Sequence, residues 1–170
     1  MIRTVNLQLI PCELMHLEAI LRNKKELEPL LHVTVPERWP EFPEAFPYAY
    51  ELLKTDPSLL HWWTYLFVHT QDRMLVGSGG FKGKPDDSGM VEIGYEIVPE
   101  YRNRGLATEA AQGLVDYAFS HPQVNTVQAH TLPERNPSTR VLEKVGMKYV
   151  GTVHDPHDGE IWHWRLTRED

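Results

Sequence analysis

Cysteine is nearly absent from these 170 residues. Cys12 stands alone, which excludes a disulfide framework and a cysteine-built zinc site. No apolar run approaches the roughly 18 residues that a membrane span needs. The opening stretch, MIRTVNLQLIPCEL, has no apolar segment ending at a small-residue cleavage site, so no export signal is expected. Together these absences give a reducing, cytoplasmic setting as the expectation. Positive charge is also short: 17 Lys+Arg stand against 24 Asp+Glu, a net charge of −7. Nucleic-acid affinity rests on phosphate neutralisation, so a net acidic chain is a poor candidate for it. Neither nucleic acid nor membrane is an expected partner, whereas a cationic small molecule is compatible. Internal repeats and low-complexity segments are absent as well.

What is present reads as globular: 41% hydrophobic and 24% charged residues. The length suits a single domain over 1–170. Thr4 to Ile10 alternates as a strand, with Val5, Leu7 and Leu9 on one face. Pro11 is expected to open a helix, and a short helix follows over Lys24–Leu31. Four prolines between Pro36 and Pro47 predict a loop, and Ala45–Lys54 a helix. Trp62–Thr70 and Met74–Lys82 read as a strand pair around the turn Gln71-Asp-Arg73. Gly77, Gly79 and Gly80 in the second of these predict a bulge or a close backbone approach. Val91 to Val98 is the clearest strand. Val91, Ile93, Tyr95 and Ile97 share one face; Glu92, Gly94 and Glu96 share the other. A helix over Gly105–Ser120 stacks Leu106, Ala110, Leu114 and Ala118. A strand over Val124–Thr131, a helix over Ser138–Val145 and a final strand pair, Met147–Val153 with Ile161–Thr167, complete an α/β chain with a mixed sheet. The sequence from Val91 to Thr131 predicts a βαβ crossover.

The chemistry concentrates at Val98-Pro-Glu-Tyr-Arg-Asn-Arg-Gly-Leu-Ala-Thr108. A strand ends, a basic loop follows, and a helix begins at a glycine. The first turn of a helix offers unpaired N–H groups and the positive end of the dipole. Gly105 allows close approach of the backbone to a ligand, and Arg102 and Arg104 add fixed positive charge. Ala107 and the Thr108 hydroxyl keep the approach open. Such a loop suits a pyrophosphate; the alternative is a solvated loop with two surface arginines.

Arg102-Asn-Arg-Gly-Leu-Ala107 resembles the Arg/Gln-x-x-Gly-x-Gly/Ala signature of the GCN5-related N-acetyltransferase (GNAT) superfamily. Glu92-Ile-Gly-Tyr-Glu-Ile-Val-Pro99 resembles that family's fourth strand. Asn136-Pro-Ser-Thr-Arg-Val-Leu-Glu-Lys-Val-Gly-Met147 resembles the second block of the ribosomal-protein-alanine N-acetyltransferase (RimJ/RimL-like) branch. The resemblance implies a GNAT-type sheet, mixed but mostly antiparallel, with a splayed central parallel strand pair and flanking helices. It implies acetyl-coenzyme A as cosubstrate and an amine acceptor, attacked directly in a ternary complex. The coenzyme A arm would pair with strand backbone near Ile97 and Val98. Backbone N–H groups through Arg104, Gly105, Leu106, Ala107 and Thr108 would hold the pyrophosphate beside Arg102, and Asn136 would bond the arm through its amide. This chain departs from the commoner Asn-x-x-Ser spacing: Ser138 is only two residues after Asn136, and Thr139 stands at the third place. A monomer or a homodimer is compatible with the resemblance. The competing readings are a non-catalytic coenzyme-A-binding module on the same fold and an unrelated α/β phosphate binder. The second lacks both common phosphate-loop glycine patterns.

Acetyl transfer to an amine needs a proton acceptor, because amines are mostly protonated at neutral pH. Glu92 is the first candidate, Glu96 the second and His130 the third; each has a purely structural alternative. Ser138 is the candidate hydroxyl for the leaving thiolate, with a helix N-cap as its alternative. Cys12 lies away from both blocks and is not expected to be a nucleophile. Glu109, in a first helical turn, reads as structural. His154, Asp155, His157, Asp158 and His163 sit in hairpin context without helical ligand spacing, so no metal site is expected. Arg38 and Glu41 in the proline-rich segment are candidate acceptor contacts.

Overall fold

The computed structural model describes residues 1–169. Eight strands form one sheet: β1 (Ile2–Arg3), β2 (Leu7–Pro11), β3 (Thr64–His69), β4 (Met74–Phe81), β5 (Met90–Ile97), β6 (Thr126–Thr131), β7 (Lys148–Asp155) and β8 (Gly159–Thr167). Their spatial order is β1-β2-β3-β4-β5-β6-β8-β7. All neighbours are antiparallel except β5 and β6. Five helices, α1 (Leu14–Asn23), α2 (Leu27–Leu31), α3 (Ala45–Thr55), α4 (Leu106–Phe119) and α5 (Pro137–Lys144), cover the two faces. Among the described residues no helix is long and apolar enough to cross a membrane.

Pleat alternation sorts the core into two layers. On β3, Tyr65 and Phe67 face α4, and Leu66 and Val68 face α1–α3; all four are buried. The stripe on α4 predicted from four-residue spacing is buried against the first face, with Leu106, Ala110, Leu114 and Ala118 all in that core. Each leucine buried in this way contributes about 1.5–3 kcal/mol. β5 is buried on one face only: Val91, Ile93 and Ile97 join the α4 core. Its other face, carrying Glu92, Gly94 and Glu96, is half-buried at the edge of the α1–α3 layer.

One expectation shifts. Pro11 ends β2 opposite Tyr65 and does not open a helix. Glu13 caps α1 instead, in a reciprocal pairing with His16, whose Nδ1 accepts the Glu13 N–H at 3.0 Å. The two-residue strand β1, too short for any periodicity to reveal, pairs with β2. The glycine-rich strand makes close backbone approaches: a Cβ on Gly79 would lie 2.3 Å from the Gly94 carbonyl oxygen.

Candidate active site

The parallel pair β5–β6 is joined only at Met90–Thr126, Val91–Val127 and Glu92–Gln128. Beyond that, β5 remains tied to β4 through Ile97, and β6 remains tied to β8 through Thr131. The two strands therefore part between Ile93–Ile97 and Ala129–Thr131. Their inner edges carry main-chain groups with no strand partner. The Ile97 carbonyl accepts from Arg102 Nε at 2.9 Å. On the α4 side the gap opens into a cleft of about 820 Å³, whose lining includes Ile97, Arg102, Gly105, Leu106, Ala107, Thr108 and Asn136.

The helix starts explain the shape of this cleft. Gly105 is the N-cap of α4 in the left-handed region, φ 78°, which a side-chain-bearing residue adopts only under strain. A Cβ there would meet nothing within 4 Å, so the space in front of the turn is open. The N–H groups of Leu106, Ala107 and Thr108 have no partner within the helix. On the opposite wall, Asn136 caps α5. Its side chain accepts the Thr139 N–H at 3.0 Å, and its own N–H donates to Thr139 Oγ1 at 3.0 Å. Thr139, three residues after the asparagine, is thus the capping partner, and Ser138 is not the N-cap. Asn136 also lines the cleft, and its amide nitrogen takes no part in the cap.

The remaining predicted residues fall differently. Val98 is buried, with its N–H bonded to the Val76 carbonyl at 2.8 Å. Arg104 stacks on the Tyr101 ring, 4.4 Å from its centroid, and does not line the cleft. Arg102 Nη2 also lies 3.6 Å from Glu41. Positive charge on the far wall comes from Arg135, Arg140 and Lys144. Arg135 pairs with Glu143, and both Arg140 and Lys144 are exposed. Sequence reasoning passed over these cations because surface charge on a helix is ordinary; the capping pattern that aims α5 at the cleft was the available signal.

Ser138 lies in the first turn of α5, outside the cleft lining, and its carbonyl accepts from Tyr95 Oη at 3.4 Å. Burial pushes the Tyr95 phenol up to about 12, so it stays protonated and able to donate. The apolar stripe of β5 gives the direction of the Tyr95 ring but no sign that its hydroxyl reaches α5.

The two glutamates on the half-buried face of β5 differ sharply. Glu92 sits in a polar network: Lys82 Nζ is 2.8 Å from one carboxylate oxygen, and His130 Nδ1 is 3.1 Å from the same atom. Gln128 donates to the other oxygen at 3.1 Å. His163 Nε2 is 2.6 Å from Gln128 Oε1, and the His130 and His163 rings stack at 4.8 Å. Burial raises the Glu92 carboxyl, but Lys82 and His130 outweigh it and hold it below its ordinary value. Glu96 accepts the Glu41 N–H at 3.0 Å. Its carboxyl lies above its ordinary value, with burial the largest cause. Glu96 lines a second hollow of about 380 Å³, with Phe42, Phe46, Trp63 and Gly94. A smaller one beside it holds Arg38, Glu41, Glu96 and Arg102. Arg38 itself pairs with Glu100 at 3.7 Å.

The other polar candidates have structural positions. Glu109 ties α4 to the β1–β2 turn, accepting from the Thr4 hydroxyl and from the Asn6 N–H at 2.7 Å. Cys12 is buried, which pushes its thiol up and away from nucleophilic use. Asp155 closes the β7–β8 turn by accepting from the N–H groups of His157 and Asp158 at 2.8 and 2.9 Å.

The sequence profile of the Acetyltransferase (GNAT) domain matches residues 6–148. The chain is 32% identical over 128 residues to the uncharacterized N-acetyltransferase YjdG of Bacillus subtilis (strain 168), covering 74% of this chain and 73% of that one. Its fold is similar to that of the ribosomal-protein-S5-alanine acetyltransferase of Vibrio fischeri, with TM-score 0.71 and 17% identity, covering 99% and 96% of the two chains. It is also similar in fold to RimL, a ribosomal L7/L12 α-N-protein acetyltransferase solved in complex with coenzyme A. There the TM-score is 0.69 at 14% identity, covering 96% and 95%.

Proposed function

The chain belongs to the GNAT acetyltransferase family, and from that premise we propose that it transfers an acetyl group from acetyl-coenzyme A to a primary amine. We assign it to the RimJ/RimL-like branch on its Asn136–Met147 block and read 1–170 as one catalytic domain. The observation that carries the reading is the parting of β5 and β6 beyond Glu92, which opens onto a helix start with free N–H groups and an empty approach at Gly105.

Bound acetyl-coenzyme A supplies an activated acyl thioester. The unpaired edge of β5, to Ile97, would receive the extended arm as a further strand. Val98 contributes through its place in the backbone, since its side chain is buried. The N–H groups of Leu106, Ala107 and Thr108, with Arg102, would hold the phosphates, and Arg140 and Lys144 add charge from the far wall. Arg104 contributes field and not contact. Asn136 would donate from its amide nitrogen.

We assign the acceptor amine to the hollow beside Glu96, and to Glu96 the proton it releases. A carboxylate with a raised pKa lies closer to neutral pH and is the better base. Glu92, committed to Lys82 and His130, holds its proton less readily and positions the neighbouring side chains. Tyr95 Oη is the hydroxyl donor for the leaving group; its single proton, directed at the Ser138 carbonyl at 3.4 Å in the free protein, would turn to the thiolate.

The buried state of Cys12 favours direct attack over a covalent acyl-enzyme. Initial rates with varied acetyl-coenzyme A and amine, read as released thiol, are expected to give intersecting reciprocal plots. Parallel plots, the sign of a covalent intermediate, would overturn the ternary-complex reading.

A further inference from the structure

Charge around the acceptor hollow is unevenly disposed. Two carboxylates line it and the smaller hollow beside it, Glu41 and Glu96. Glu41 has Arg102 Nη2 at 3.6 Å. Glu92, which flanks the hollow on the same strand face, holds Lys82 at 2.8 Å. Glu96 alone of these three has no ion pair within 4 Å among the described residues; it accepts the backbone N–H of Glu41. The site therefore offers one carboxylate to one ammonium. A second ammonium would find no further unpaired carboxylate there and would face the Lys82 cation, which lines the hollow and repels it.

The rest of the hollow is shaped for an apolar body. Phe42 and Trp63 wall it, and its volume of about 380 Å³ lies at the small end of ligand sites. Its floor is open at Gly94, where a Cβ would approach only Lys82 Cε, at 3.9 Å. Neighbouring strand positions carry side chains; here their absence leaves room between Glu92 and Glu96.

We propose that the acceptor is a monocationic primary amine on a compact apolar body, and that polyamines and aminoglycosides are poor acceptors. This rests on the reading of the Glu96 hollow as the acceptor site. The amine can belong to a free small molecule or to the apolar N-terminal residue of a polypeptide; the recognised chemistry is the same.

The test is a panel of acceptors assayed by thiol release from acetyl-coenzyme A: phenethylamine, leucine amide and a hexapeptide beginning with leucine, against spermidine and kanamycin. The three apolar monoamines are expected to exceed the polycations in kcat/KM by on the order of 100-fold, the discrimination an apolar pocket achieves against a ligand that brings an extra polar group. Their mutual order separates a free amine from a polypeptide N-terminus. Gly94→Val should raise KM for the preferred amine by about tenfold by filling the floor. Its coenzyme A affinity by calorimetry and its circular dichroism should stay unchanged. Comparable efficiency with spermidine or kanamycin, or an unaltered amine KM in a folded Gly94→Val, overturns the proposal. Transfer to none of the monoamines by a protein that binds coenzyme A also overturns it and leaves the cofactor reading standing. Failure to bind coenzyme A overturns both.

Discussion

The hollows on the two faces of β5 are built from different materials. The cleft toward α4 and α5 is made of main-chain groups: a parted strand edge, the first turn of α4 and the capped start of α5. Its side chains supply scattered positive charge from Arg102, Arg140 and Lys144. The hollow toward α3 takes its character from side chains: aromatic walls, one carboxylate and one lysine over a glycine floor. A main-chain site tolerates wide sequence change so long as the helix starts and the strand gap persist. A side-chain site changes its ligand with each substitution. On the proposed reading the two substrates are thereby separable: one is held by fold, the other chosen by side chains on β5, at Trp63 and in the loop before α3.

The sharpest way to break this comparison is to attack the main-chain half with one side chain. Gly105→Glu should abolish coenzyme A binding, measured by calorimetry, with the fold retained by circular dichroism. The new carboxylate enters the open space before the α4 N–H groups, where it opposes phosphate charge. It also adds strain of about 1 kcal/mol at φ 78°, which a domain of this size tolerates. Unchanged affinity in the folded variant would show that the cleft does not hold the phosphates.

The next effect lies in the other half. Glu96→Gln keeps the shape of the side chain and removes its basicity, so kcat should fall by about 10²–10⁴ at neutral pH, with coenzyme A affinity unchanged. The pH profile carries a second sign. Protonated Glu96 cannot accept a proton, so wild-type activity should fall as pH drops through its carboxyl pKa. Burial raises that value, so the fall sets in above the ordinary carboxylate range. In the variant this acidic limb should vanish, leaving only the rise as the amine deprotonates. A retained limb would move the base elsewhere.

The same division explains what could be read in advance. The order of the main elements, the α4 stripe and the Arg102–Thr108 loop are local patterns, set by periodicity and by a glycine at a helix start. Asn136 and its block were likewise visible as a string. The Glu96 environment was not, because its backbone donor at Glu41 is 55 positions away and the α1–α3 layer that buries it is set by packing. Glu92 and Glu96 share a strand face and look alike in sequence. Only the tertiary arrival of Lys82, Gln128 and His130 distinguishes them. Tyr95 was hidden for the same reason: an apolar stripe says which way a ring points, not where its hydroxyl ends. Arg104 shows the converse, a motif residue whose side chain turns aside to stack on Tyr101.

The smallest expected effect sharpens the contrast between the two glutamates. Glu92→Gln leaves the Lys82 ammonium and His130 Nδ1 without their charged partner. Lys82 is 62% exposed, so solvent screening limits that pair to well under 1 kcal/mol. The half-buried contacts to His130 and Gln128 bring the total to about 1 kcal/mol. Thermal unfolding should move down by a few degrees. The loss also has a pH signature. The folded Glu92 carboxyl lies below its ordinary value, so its stabilisation is present above the unfolded pKa and is lost as pH falls through the folded one. Wild type and variant should therefore differ in unfolding temperature at neutral pH and converge in acid. Turnover should fall far less than in Glu96→Gln, because Glu96, to which we assign the proton, is untouched. If Glu92→Gln slows kcat as much as Glu96→Gln while its melting temperature is unchanged, Glu92 is itself a proton acceptor, and the division of labour along β5 is reversed.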